Sequence, residues 1–78
     1  TFEHCSFIDC SFEGSVFYNV YFKNCFFKNC KCKKIYTRFT LIQDNVIEKC
    51  DFHKSTHVDL YKKGNIIENS DLDKINIY

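Results

Sequence analysis

Phenylalanine recurs at positions 2, 7, 12, 17, 22 and 27, a spacing of five held without a miss. Three residues after each comes a small or compact side chain: Cys5, Cys10, Ser15, Val20, Cys25 and Cys30. An amphipathic helix repeats its apolar positions at three and four. A half-buried strand repeats them at two. Neither yields five, and a fixed period over many copies is the mark of a repeat architecture.

The register continues beyond the clear copies. Centres follow at Cys32, Thr37, Ile42, Ile47, Phe52, His57, Lys62, Ile67, Leu72 and Ile77, of which only Thr37, His57 and Lys62 are not apolar. The position two before each centre continues as Ile35, Thr40, Asn45, Cys50, Ser55, Leu60, Asn65, Ser70 and Ile75. The position two after each centre is rich in Asp, Asn and Gly (Asp9, Gly14, Asn19, Asn24, Asn29, Asp44, Asp59, Gly64, Asn69). These residues tolerate positive φ or bond their own backbone, so they suit a corner. Each pentapeptide then has two inward positions and one corner.

This pattern resembles the pentapeptide-repeat family over essentially the whole chain. The resemblance implies an all-β fold, a right-handed quadrilateral β-helix of about four coils. Four pentapeptides form each square coil, with the centre residue filling the interior. The expected core is Phe2, Phe7, Phe12, Phe17, Phe22, Phe27, Ile42, Ile47, Phe52, Ile67 and Leu72. At twenty residues per coil, Asn45 and Asn65 fall in one column, where a side-chain amide ladder would satisfy both. Residues 1–78 read as a single domain that begins and ends inside the repeat, as a piece of a longer chain would. A register break is expected at 54–64, where His57 and Lys62 take centre positions and Val58 is apolar at an outward one.

A chain of 78 residues buries little surface in an ordinary globule. Stacking of neighbouring coils supplies the burial instead. No apolar run is long enough to span a bilayer as a helix, so any membrane attachment is expected only through segments outside this chain. Five of the cysteines (5, 10, 25, 30, 50) take the compact position and Cys32 a centre. They read as free thiols packed as small hydrophobes, with a disulfide framework as the rival reading. The cysteine and histidine spacings match no zinc site, and no cofactor is expected. His4, His53 and His57 are scattered without a recognisable nucleophile, so an enzyme is not expected.

Between Tyr21 and Arg38 stand Lys23, Lys28, Lys31, Lys33, Lys34 and Arg38, with no acid. Lys23, Lys28, Lys33 and Arg38 are a candidate basic face, with Tyr21, Phe26 and Tyr36 also outward. The net charge of +1 gives no general pull toward nucleic acid, and no nucleic-acid partner is expected.

The run YFKNCFFKNC at 21–30, with CDF at 50–52, is similar to the luminal domain of synaptic vesicle glycoprotein 2, a transporter-like membrane protein. That resemblance implies a non-enzymatic interaction domain on the luminal or extracellular side. It would bind a protein partner by β-strand addition at an open edge. In the toxin-binding members, botulinum neurotoxin A docks this way near the segment matching Ile47–Phe52. The edge residues here would be Lys49, Asp51, His53 and Lys54. The family's N-glycan and phenylalanine at the positions of Lys49 and His53 are absent, and no N-x-S/T sequon occurs. The alternative is a free-standing pentapeptide-repeat protein of the cytoplasm with a structural or interaction role.

Overall fold

The computed structural model describes residues 1–72; Ile75 and Ile77 lie outside the described residues. Nine short strands follow one another: β1 (Phe2–Glu3), β2 (Ser6–Ile8), β3 (Val16–Tyr18), β4 (Tyr21–Lys23), β5 (Phe26–Lys28), β6 (Tyr36–Gln43), β7 (Val46–Glu48), β8 (Thr56–Lys63) and β9 (Ile66–Glu68). Every pairing is parallel and joins residues twenty apart: Phe2↔Phe22, Phe7↔Phe27, Phe17↔Thr37, Ile47↔Ile67. A parallel offset of twenty with a turn every five is a square coil. The described residues make three complete coils (1–20, 21–40, 41–60) and part of a fourth, against the four expected.

The four sides are not equivalent. Side one stacks β1, β4 and the second halves of β6 and β8. Side two stacks β2, β5, β7 and β9. Side four stacks β3 and the first halves of β6 and β8. Side three is a turn with single bridges, Ser11↔Lys31 and Lys31↔Asp51. There Ser15 N–H closes on Phe12 O and Ser55 N–H on Phe52 O.

The corners explain the period of five. Positive φ occurs at His4, Asp9, Gly14, Asn19, Asn24, Asn29 and on through Asn69, always two residues after a centre and, among the described residues, nowhere else. The expected corner position is therefore the corner in fact. Asn, Asp and Gly fill most of them because the left-handed region is costly for other residues. Lys34 (φ 58°), Phe39 (φ 51°), Lys49 (φ 54°) and Lys54 (φ 59°) occupy it without that advantage.

Inside, rings stack along the axis and meet edge-on around it. Phe2 lies over Phe22 at 5.0 Å and Phe7 over Phe27 at 4.9 Å, both nearly parallel. Those separations match the spacing of adjacent strands. Neighbouring sides bring rings together at steep angles, as with Phe7–Phe12 (71°) and Phe17–Phe22 (81°). Both geometries suit the ring quadrupole. Phe22, Ile42, Ile47, Phe52 and Leu72 are buried as expected, while Phe7, Phe12, Phe17, Phe27 and Ile67 are half-buried against them. Phe2 departs from the expected core. It is 42% exposed, because its ring lies on the outermost described coil and is covered from one side alone. Cys32 and Thr37, small centres among larger ones, line an internal void of about 50 Å³.

Two expectations are corrected. Residues 54–64 contain no bulge, since β8 pairs with β6 from Tyr36↔Thr56 to Gln43↔Lys63 at a constant offset. His57 fits as a centre because Thr37 Oγ1 (2.7 Å) and Ser55 Oγ (2.9 Å) meet its two ring nitrogens. Lys62 holds a centre position yet is exposed on the partial fourth coil. Asn45 and Asn65 form no amide-to-amide ladder. Instead each clamps the coil before it. Asn45 Oδ1 accepts from Cys25 N–H (2.8 Å) while its Nδ2 donates to Phe22 O (3.0 Å). Asn65 repeats this with Asn45 N–H and Ile42 O. The carbonyl of a centre residue faces the next coil's compact position, so a donor there is drawn to it. Cys25, Cys30 and Thr40 serve the same acceptors, reaching Phe2 O, Phe7 O and Phe17 O. All six thiols are free.

Phe22→Ala is expected to lower stability by roughly 3–5 kcal/mol in urea titration, as for large aromatic truncations. Lys28→Ala is expected to change it by less than about 0.5 kcal/mol. At the strained corners, Lys34→Asn is expected to raise stability by about 0.5–1 kcal/mol, since asparagine tolerates the left-handed region. A lowered midpoint for Lys34→Asn would contradict that account of the corners.

Candidate interaction surface

The residues expected to form an edge do not share one. Lys49 is a corner whose N–H donates to Glu68 O of the partial fourth coil. Asp51 is held in the ladder, its N–H on Cys30 O and its carbonyl taking Cys32 N–H. Its carboxylate accepts from His53 N–H and stands 3.7 Å from Lys33 Nζ, an exposed pair worth little. The coil from residue 61 onward stacks over the Lys49 corner, while Asp51 turns its amide and carbonyl to the coil below. His53 and Lys54 are exposed, and Lys34 N–H occupies the carbonyl of His53. The third side ends its described ladder on a side chain: Asp71 Oδ1 accepts from Phe52 N–H at 2.7 Å.

The basic residues do not share a face either. Lys23 ends β4, Lys28 ends β5, Lys33 lies in the side-three turn and Arg38 lies in β6. Five residues advance the chain by one side, so these four form a belt around the second coil.

Two buried features carry titratable groups. His57 is 1% exposed. Ser55 Oγ donates its proton to Phe52 O (2.6 Å), so it accepts from the Nε2–H of His57. Nδ1 is then the acceptor for Thr37. A serine whose proton is spent on a carbonyl is not deprotonated by this imidazole, so the arrangement is structural. Burial, and after it the charge of Lys62, lowers the His57 pKa from 6.5 to about 4. Burial likewise pushes the Cys50 thiol up to about 11 and raises Cys32 further, with neighbouring Cys50 adding to the rise at Cys32. Such thiols are poor nucleophiles. Among the described residues no group of three or more His, Cys, Asp or Glu is placed to hold a metal ion. No helix among them is long and apolar enough to cross a membrane.

The outward positions tell more. On side four, Val16 pairs with Tyr36, and Tyr18 with Arg38 and then Val58. Across the corner on side one, Tyr21 pairs with Leu41 and then Tyr61. Phe39 stands at the corner between them. Its ring meets Tyr18 edge-on at 5.9 Å, and the Arg38 guanidinium lies 5.1 Å from its centroid. Val16 (68%), Tyr18 (62%) and Tyr61 (59%) are the most exposed of this group. One corner of the square is thus coated with aromatic and aliphatic side chains. Side three presents Ser11, Glu13, Lys31, Lys33, Asp51 and His53 instead. Large exposed apolar patches are where contact surfaces are sought, and Tyr and Arg are enriched among the residues that anchor protein contacts. The chain alone hides this surface, because its members share no short period. Reading outward positions at twenty residues would have found the columns 16/36, 18/38/58 and 21/41/61.

A family model described as pentapeptide repeats (8 copies) matches residues 1–31. No curated protein matches the chain. Among solved structures the chain is similar to trypsin-treated QnrB1 (M102R), a plasmid-mediated fluoroquinolone resistance protein. The two are 13% identical with a TM-score of 0.42, over 88% of this chain and 54% of that one. The chain thus spans about half the length of that protein.

The buried histidine sets a pH dependence. The unfolded chain takes up a proton on this residue near pH 6.5, and the folded one not until about pH 4. Between those values the unfolded state binds more protons, so stability falls as pH is lowered through the window, by roughly 3 kcal/mol in full. Urea midpoints are expected to drop steadily from pH 7 to 5, and to drop less in His57→Gln. A midpoint unchanged between pH 7 and 5 would contradict the neutral buried imidazole.

Proposed function

Taking the pentapeptide-repeat match over residues 1–31 as the premise, we propose that the solenoid is a non-enzymatic protein-interaction module and that its aromatic corner is the contact surface. The observation that carries this reading is the column set Val16/Tyr36, Tyr18/Arg38/Val58 and Tyr21/Leu41/Tyr61 around Phe39. Stacked coils hold these side chains on a rigid ladder, so little ordering cost falls on the protein when a partner binds. The contact would run through side chains, since the backbone of β6 at this corner is already paired with the coils on both sides.

A finer form of the proposal places the module on the luminal or extracellular side of a transporter similar to synaptic vesicle glycoprotein 2. Its support is the run at 21–30 together with Cys50–Phe52. Membrane spans of about 20 apolar residues flanking the domain in the parent chain would support that setting, and their absence would remove it.

The interaction role is tested by photo-crosslinking in the native cell. A benzophenone side chain at Tyr36 is expected to yield a discrete protein adduct, and one at Lys31 on side three to yield none. No adduct at 36, or the same adducts from both positions, would overturn the assignment of this surface.

A further inference from the structure

The aromatic corner carries cations at its centre and along both flanks. Arg38 sits in the middle, Lys34 and Lys54 are the corners that open side four, and Lys23 and Lys63 end the side-one strands. The acids here are Asp59, which takes the same corner as Phe39 one coil on, Glu3, in register with Lys23, and the corner residue Asp44. Arg38 makes no ion pair among the described residues. Its guanidinium rests near the face of Phe39 at 5.1 Å, and Tyr18 braces that ring from the edge. A guanidinium placed over a ring keeps its planar fork of N–H donors available to a carboxylate. Val16 and Tyr36 lie in register beside it and offer an apolar seat.

Resting on the interaction reading above, we propose that this corner binds an acidic polypeptide segment bearing aromatic or aliphatic side chains. A carboxylate of the segment pairs with Arg38. An apolar side chain packs beside it against Tyr18, Tyr36 and Val16. The flanking lysines attract the remaining acids and set the approach. A neutral apolar partner would leave the Arg38 fork unpaired on binding, which disfavours it.

Fluorescence anisotropy with three labelled twelve-residue peptides tests this. The first alternates Asp/Glu with Phe/Leu, the second replaces its acids by lysine, and the third replaces its apolar residues by serine. Oligothymidylate is a fourth probe. Only the first peptide is expected to bind. Arg38→Gln and Phe39→Asn are each expected to weaken it tenfold or more, and Lys31→Gln on side three to leave it unchanged. Phe39→Asn suits the left-handed corner, so its thermal midpoint should not fall, which separates lost contact from lost fold. The proposal is overturned if the peptides bind alike, if none binds, or if Lys31→Gln weakens binding as much as Arg38→Gln. Preference for oligothymidylate also overturns it, as does a dimer in light scattering that Phe39→Asn dissolves and the acidic peptide does not. Should the Tyr36 crosslink map to a neutral or basic segment of its partner, the acidic specificity falls while the interaction role stands.

Discussion

Everything in this solenoid depends on a backbone turn made every five residues. Fourteen corners, from His4 to Gly64 and Asn69, take positive φ in strict period. Each swings the chain onto the next side, and four bring it back over its starting point at the offset of twenty. Hydrogen bonds between coils then close themselves. The N–H of a corner reaches the coil ahead, as from Asn24 to Gln43 O, and the residue before a centre reaches the coil behind, as from Val46 to Cys25 O. The interior width follows from the same turn. It leaves room for one large side chain and one compact one per side, and a centre residue is touched from above and below by its column.

That confinement governs how polar residues enter the core. A polar centre needs a partner within its own column or at the adjacent compact position. Thr37 and His57 are twenty apart and bond each other at 2.7 Å. Asn45 and Asn65, also twenty apart, turn to the backbone instead, because carbonyls of centre residues lie within their reach. The thiols of Cys25 and Cys30 reach the same class of carbonyl, so a donor at the compact position finds an acceptor ready, while Ile35 and Leu60 fill it by volume alone.

The architecture was legible in the chain because its cause is local. Phenylalanine every five residues marks the interior, and Asp, Asn and Gly at the corners mark the turn. What was misread depended on which residues meet at twenty. His57 looked like a break because Thr37 was not yet its neighbour. Lys23, Lys28, Lys33 and Arg38 looked like one stripe because five along the chain suggests continuity, whereas five in space is a different side. Lys49 looked like an edge until residues 61–68 were found stacked over it. The aromatic corner carries no signal of its own along the chain, since outward positions answer to surface demands and not to the turn.

The square cross-section gives insertions and deletions an arithmetic of their own. Loss of one pentapeptide preserves every corner and every inward position, so the coil closes as before. Yet all residues beyond the loss move to the neighbouring side. Tyr61 would leave the column of Tyr21 and Leu41, and Arg38 would part from Val58. Only the loss or gain of a full coil keeps both the core and the surface columns in step. The fold therefore tolerates changes of five residues, while anything built on its outer surface tolerates changes of twenty.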